Sequence, residues 1–228
     1  ELMKTGRRDA HLLLSHLHWD HIQGLPFFVP LYAAETHLTL YGPRAGGHSL
    51  EQVIERQMTA PVFPVELSAT PAKLAAVEIG DGSRLRIDDV AVRAARLHHP
   101  GGVLAYRIDY SGHTVVYATD TEHGSLLDPA LVDLARGADV LIYDAQYTPD
   151  EYYGRSGPGK IGWGHSTYEE GAKLARAAGV GRLVLFHHDP RRSDDQVAEI
   201  VGWARAAFAD TVAAREGMSL DISGRRAA

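Results

Sequence analysis

The sequence predicts an α/β fold with layered sheets. Short runs rich in Val, Ile, Leu and Tyr, bounded by Gly, Pro or Asp, recur along the chain. Helical patterns with their own start and stop signals alternate with those runs, an order that favours sheets covered by helices. The 228 residues, 45% of them hydrophobic, suffice for one sizeable core. With no repeat, low-complexity tract or linker to divide it, the chain reads as a single domain over residues 1–228.

Taken in order, the strand candidates begin with His11–Ser15 and Leu38–Tyr41. A helix follows over Ser49–Met58, with Ser49 as its cap. The Pro-bearing stretch Thr59–Pro71 reads as a long connection, a lid or rim element. Leu85–Ile87, Val90–Leu97, Val103–Tyr110 and Thr114–Ala118 are strands, and Ser111-Gly112 is a hairpin turn. Asp128 before Pro129 opens a helix over Asp128–Ala135. After the strand Val140–Tyr143 comes a helix over Thr167–Ala178. There Ser166 and Glu169 have the form of a capping box, and Gly179 is a stop. Leu183–Phe186 is the last strand candidate. The helix Ser193–Phe208 then shows an apolar face at Val197, Ile200, Val201 and Ala204. The final residues, Ser223–Ala228, are expected to fray.

Composition removes several function classes. The absence of cysteine excludes disulfides, thiolate zinc sites and cysteine nucleophiles, and it fits a cytoplasmic protein. No apolar run approaches a membrane-spanning length, and the charged start (Lys4, Arg7, Arg8, Asp9) lacks the pattern of a signal peptide, so no membrane partner is expected. A formal net charge of −6 gives no footprint for gripping a phosphate backbone and disfavours nucleic acid as a partner.

The richest motif is Ser15-His16-Leu17-His18-Trp19-Asp20-His21, directly after the apolar Leu12–Leu14. In an extended segment, side chains at i and i+2 point the same way, so His16 and His18 can grip one ion. Asp20 and His21, beyond the turn, can face a second. Three further strand ends carry ligand types: Leu97-His98-His99-Pro100, Ala118-Thr119-Asp120 and Phe186-His187-His188-Asp189. On the residues alone, either histidine of each pair could bind. A carboxylate at a strand tip, as at Asp120, is suited to bridging two cations. Asp144 also ends a strand and fits an acceptor that orients a ligand histidine. Gly164-His165-Ser166-Thr167 adds one more histidine, whereas His11, His37, His48, His113 and His123 read as surface or packing residues. Imidazole and carboxylate suit zinc, manganese or iron.

The His-x-His-x-Asp-His motif resembles the signature of the metallo-β-lactamase superfamily. The His-Pro-Gly-Gly, Ala-Thr-Asp and Gly-His-Ser-Thr elements resemble its ribonuclease Z and cyclic phosphodiesterase branch. The resemblance implies a metallo-β-lactamase-like αββα sandwich, N-terminally shortened because a few strands normally precede the first motif. It implies two divalent metal ions, zinc foremost: His16, His18 and His99 on one, Asp20, His21 and His187 on the other, and Asp120 bridging, with His98 and His188 as fallbacks. The implied reaction is hydrolysis by a metal-bound hydroxide that Asp20 orients, with His165 assisting departure of the leaving oxygen. Ribonucleases of this branch carry a long arm in the interval corresponding to His99–Asp120. Here that interval holds only a hairpin, so a small phosphodiester is the expected substrate and tRNA is disfavoured. The alternatives are an ester or lactone hydrolase on the same metal core, and a non-catalytic metal-binding sensor or scaffold. Proteins similar to this one are commonly homodimers.

Overall fold

The computed structural model describes Lys4 and residues 6–222, so the expected fraying of Ser223–Ala228 lies outside the described residues. The chain forms two compact units, Glu1–Asp81 and Gly82–Ala228.

In the first unit, β1 (Asp9–Leu13), β2 (His37–Gly42) and β3 (Lys73–Glu78) form a three-stranded sheet in that order, parallel throughout. Alternation in β2 sends Leu38 and Leu40 into a core with Leu14, Leu31, Ile54 and Met58. The four-residue helix α1 (Trp19–Ile22) follows the first histidines. Helix α2 (Leu50–Gln57) begins with a full capping box, Ser49 accepting from Gln52 N–H and Gln52 accepting from Ser49 N–H. It buries Leu50 and Ile54, and Met58 at its end is also buried. The expected connection Thr59–Pro71 contains a 3₁₀ turn at Leu67–Ala69.

The second unit is built on a seven-stranded sheet. Its members are β4 (Arg84–Ile87), β5 (Val90–Leu97), β6 (Val103–Tyr110), β7 (His113–Ala118), β8 (Val140–Asp144), β9 (Arg182–Phe186) and β10 (Thr211–Ala213), lying side by side in that order. From β4 to β7 neighbours are antiparallel; from β7 to β10 they are parallel. Tyr110 pairs with His113, so Ser111 and Gly112 alone make the turn, both at positive φ (50° and 81°) as a tight hairpin demands. The parallel half needs crossovers. Helices α3 (Pro129–Ala135), α5 (Tyr168–Ala178) and α6 (Asp194–Ala207) supply them, α5 packing against both others. Between β8 and α5 lies a one-turn helix, α4 (Pro149–Tyr152). Asp128 and Gly179 bound their helices as expected, and Ser193 caps α6 in a capping box with Gln196.

This topology has one consequence for function. Two antiparallel pairings bring β7 back to the direction of β5, and β8 and β9 run with β7. The C-terminal ends of β5, β7, β8 and β9 therefore share one edge of the sheet.

Differences from expectation are local. Strand β1 begins at Asp9 and stops at Leu13, two residues earlier than read from the sequence. Helix α5 is capped by Thr167, whose hydroxyl accepts from Glu170 N–H, and not by Ser166. Ser166 is fully buried, its hydroxyl 2.9 Å from both Tyr143 Oη and His123 Nδ1, so it cannot serve as the cap. Among the described residues, no helix is long and apolar enough to cross a membrane.

Candidate metal centre

In the first unit, β1 delivers the chain to the buried His16, and the backbone stays extended as far as His18 (φ −64°, ψ 149°). His16 Nε2 lies 3.0 Å from His18 Nδ1, as side chains two apart in extended chain should. Ser15 Oγ holds the other ring nitrogen of His16 at 3.1 Å. Helix α1 then turns the chain, setting the His21 ring 4.3 Å from that of His16, centroid to centroid. Asp20 remains exposed, 3.5 Å from His21 Nε2. His16, His18 and His21 thus form a compact imidazole cluster.

In the second unit, the shared edge of the sheet gathers His99, Asp120, Asp144, His165 and His187. Asp120 is 2% exposed; its Oδ1 stands 3.1 Å from His187 Nε2, and its Oδ2 accepts from the Thr119 hydroxyl at 2.5 Å. The His187 ring stacks on His165 at 4.8 Å and 11°, and His165 meets the His99 ring edge-on at 5.3 Å. One ligand atom from each of Asp120, Asp144, His165 and His187 falls within 4.8 Å of the others.

Each of these imidazoles is oriented from behind. His99 Nδ1–H donates to Gly164 O at 2.8 Å, His165 Nδ1–H to Asp144 Oδ2 at 2.9 Å, and His187 Nδ1–H to Gln146 Oε1 at 3.1 Å. A proton fixed on Nδ1 makes Nε2 the lone-pair nitrogen of the neutral ring. Asp144 has no exposed surface, and its Oδ1 accepts from Gln146 and Ser166 N–H, both at 3.1 Å. Imidazoles backed by carboxylate, carbonyl or amide acceptors around a buried carboxylate are the donor set divalent metals take. These residues fit such ions.

The paired histidines separate cleanly in their surroundings. His98 has a largely exposed side chain, whereas His99 is buried against the Gly164 loop. His187 faces Asp120, while both ring nitrogens of His188 are buried without a hydrogen-bond partner. Burial, with Arg192 adding to it, depresses the His188 pKa. Asp144 does accept from an imidazole, but the ring it orients is His165 and not one of the histidines expected as metal ligands.

Three contributors escaped the sequence reading: Thr119, Gln146 and, most of all, Glu122. Glu122 is buried, yet its carboxylate accepts from Gly162 N–H at 2.6 Å, Gly164 N–H at 2.8 Å and Tyr152 Oη at 2.8 Å. Burial pushes its pKa up, but these donors outweigh burial and hold it below the ordinary glutamate range. His123, expected to be a surface or packing residue, is partly buried and bonded to Ser166. His37 and His113 sit beside Asp9 and Asp139, outside the clusters.

Comparison with known proteins extends the geometry. Residues 3–188 match the family model described as the beta-lactamase superfamily domain. The ribonuclease Z of Synechococcus sp. (strain WH7803) is 27% identical, over 93% of this chain and 79% of its own length. That alignment runs to 273 positions, more than this chain contains, so the relative carries internal residues with no counterpart here. Among solved structures, the metallo-β-lactamase fold protein YhfI from Bacillus subtilis superposes with a TM-score of 0.69 at 23% identity, covering 91% of this chain and 75% of that one. Human tRNase Z, short form, gives 0.60 at 22% identity, over 83% and 78%. The fold is therefore the expected metallo-β-lactamase type.

One expectation is corrected. Net charge disfavoured nucleic acid as a partner, but relatives over nearly the whole chain are ribonucleases by name. The reasoning failed because a formal charge of −6 sums the entire surface, whereas a phosphodiester is gripped by the local field of a site.

Proposed function

Because this chain belongs to the beta-lactamase superfamily, we propose that it is a metal-dependent phosphodiester hydrolase whose two units, residues 1–228, make one hydrolase domain. The ligands we assign are His16, His18 and His99 to one cation, and Asp20, His21 and His187 to a second. Asp120 would be the ligand shared between them. Zinc fits these nitrogen and carboxylate donors best, and manganese or iron are admitted. The observation that carries the reading is the buried Asp120 carboxylate against His187, beside a His165 ring backed by the fully buried Asp144.

Divalent cations bound there supply Lewis acidity, making water nucleophilic at neutral pH and offsetting charge on the phosphoryl oxygens. The chain's own groups do the rest. Asp20, exposed beside His21, orients the attacking water. As water adds to phosphorus, giving up a proton to solvent, the ester P–O bond breaks and the leaving oxygen takes the Nε2 proton of a protonated His165. Asp144 favours that imidazolium by accepting from Nδ1–H, and holds the ring in place.

Ribonuclease Z relatives bring RNA within the substrate range. A second reading, a small phosphodiester such as a cyclic nucleotide, is favoured by the two-residue Ser111–Gly112 turn, which leaves no arm between β6 and β7. The test is metal analysis of reconstituted protein, followed by turnover of bis(p-nitrophenyl) phosphate, an RNA with a 3′ extension, 2′,3′- and 3′,5′-cyclic nucleotides, and a lactone panel. Metal-dependent cleavage of any of the phosphodiesters is expected. Preferential lactone cleavage, or metal binding with no hydrolysis, overturns the assignment.

A further inference from the structure

The geometry points to Glu122 as the positioning residue that sets His165 and His99 in place for the proposed reaction, by clamping the glycine loop Gly162–Gly164 that lies between them. The inference rests on the phosphodiesterase reading for its catalytic consequence, but not for the clamp itself.

Glu122 stands two residues past Asp120 at the tip of β7, and its own N–H donates to His98 O at 2.8 Å, tying that tip to the end of β5. Its carboxylate then reaches some forty residues along the chain: Gly162 N–H binds Oε1 and Gly164 N–H binds Oε2. Gly164 is the next link. Its carbonyl accepts the Nδ1–H of His99, and its successor is His165. One carboxylate thus holds, through a single loop, an imidazole assigned to metal binding and the imidazole assigned to the leaving oxygen. The clamp explains why a charged group is buried here: besides His98 Nδ1 at 3.9 Å from Oε2, it has three hydrogen-bond donors within 2.8 Å, a common way to stabilise a buried carboxylate.

Glutamine is nearly isosteric but has one acceptor oxygen. Whichever way the amide turns, its NH₂ confronts either Gly164 N–H or Gly162 N–H, donor against donor, and the loop must let go at one of the two glycines. Tyr152→Phe, by contrast, removes one donor from Glu122 and leaves both glycine contacts standing.

The experiment compares wild type, Glu122→Gln and Tyr152→Phe in two arms. In the first, amide hydrogen exchange is followed by NMR on metal-free protein. Exchange at Gly164 or Gly162 is expected to rise at least about tenfold in Glu122→Gln, with β6 and β7 amides unchanged and Tyr152→Phe close to wild type. In the second, zinc-reconstituted enzymes hydrolyse two phosphodiesters, one expelling p-nitrophenolate and one expelling an alkoxide. A misplaced His165 matters only where the leaving oxygen needs a proton. Glu122→Gln should therefore slow the alkoxide substrate at least about tenfold more than the other.

Unchanged protection at both Gly162 and Gly164 overturns the inference. So does loss of protection throughout β6 and β7, which would make Glu122 a general folding residue, or equal slowing of both substrates. Wild-type protein that cleaves neither substrate sinks the phosphodiesterase reading, and the catalytic role of Glu122 with it. The exchange arm still reports separately on the clamp.

Discussion

Replacing Gly164 with alanine tests the tightest approach in the site. Gly164 has φ +87°, a region that side-chain-bearing residues rarely occupy. A Cβ built there would fall inside van der Waals contact of the His99 ring and of Pro100 Cδ, with His99 Cε1 at 2.9 Å. Neither neighbour can step aside cheaply: the imidazole is held by Gly164's own carbonyl, and the proline ring is part of the backbone. The conformational penalty is roughly 1–3 kcal/mol, and overpacking adds roughly 1–3 kcal/mol. If the loop stays put, about 2–6 kcal/mol is lost, and a chain of this size should melt on the order of 5–20 °C lower. If the loop yields, the strain is relieved but His165 and His99 move, and a displacement near 1 Å costs on the order of a hundredfold in rate. Thermal melting of metal-free protein and kcat of the reconstituted enzyme measure the two outcomes. A variant within about 1 °C and twofold of wild type on both scales would refute the close approach.

Other perturbations probe separate parts of the same reasoning. Asp144→Asn removes the charge behind His165 while keeping its shape, and kcat is expected to fall about 10²- to 10⁴-fold; a fall under threefold would exclude His165 as the acid. Dialysis against a chelator should abolish hydrolysis and lower the melting temperature, and added zinc should restore both in proportion to metal content. Asp109 supplies a pH test away from the site. Burial raises its pKa, but the Thr114 hydroxyl and Arg107 outweigh burial and leave it depressed. A depressed carboxyl contributes stability in full above its unfolded pKa of about 3.9 and loses it as pH falls through the folded value. Asp109→Asn should therefore melt below wild type at pH 7, with the gap closing as the pH falls below the unfolded carboxyl value and through the depressed folded one; a gap that is constant with pH would contradict the assignment.

The strand-tip histidines and aspartates were legible because each follows a run of apolar residues that can only be a strand, and strand tips are where parallel sheets present ligands. What stayed illegible lacked such a local pattern. Strand β3, Lys-Leu-Ala-Ala-Val-Glu, has few β-branched residues and lies at the edge of its sheet, largely exposed, so neither composition nor alternation marks it. Strand β10 and helices α1 and α4 are too short to show a period. The start of α5 could be read in two registers, since both Ser166-x-x-Glu169 and Thr167-x-x-Glu170 satisfy a capping box. Burial of Ser166 against Tyr143, a tertiary fact, decides between them. Glu122 was invisible for a similar reason: its partners are backbone N–H groups of a distant loop, and a backbone donor has no letter in the sequence.

Backbone strain offers an independent pointer to the same edge of the sheet. Among the described residues, the non-glycine positions with positive φ are Asp88, Ser111, Asp120 and His187. The first two sit at hairpin reversals, between β4 and β5 and between β6 and β7, where the turn requires that conformation. Asp120 and His187 have no such excuse. Each follows a parallel strand, β7 or β9, that does not fold back on itself there, and each takes a conformation costing of order 1 kcal/mol or more for a residue with a side chain. Glycine would relieve that cost at either position, yet the sequence retains a carboxylate and an imidazole. The effect of the abrupt turn is to end the strand and bring Asp120 Oδ1 to 3.1 Å from His187 Nε2. A local rule is broken twice, at the two residues proposed above as a shared ligand and a metal ligand, which is where a sequence is expected to sacrifice local backbone preference for the placement of a side chain.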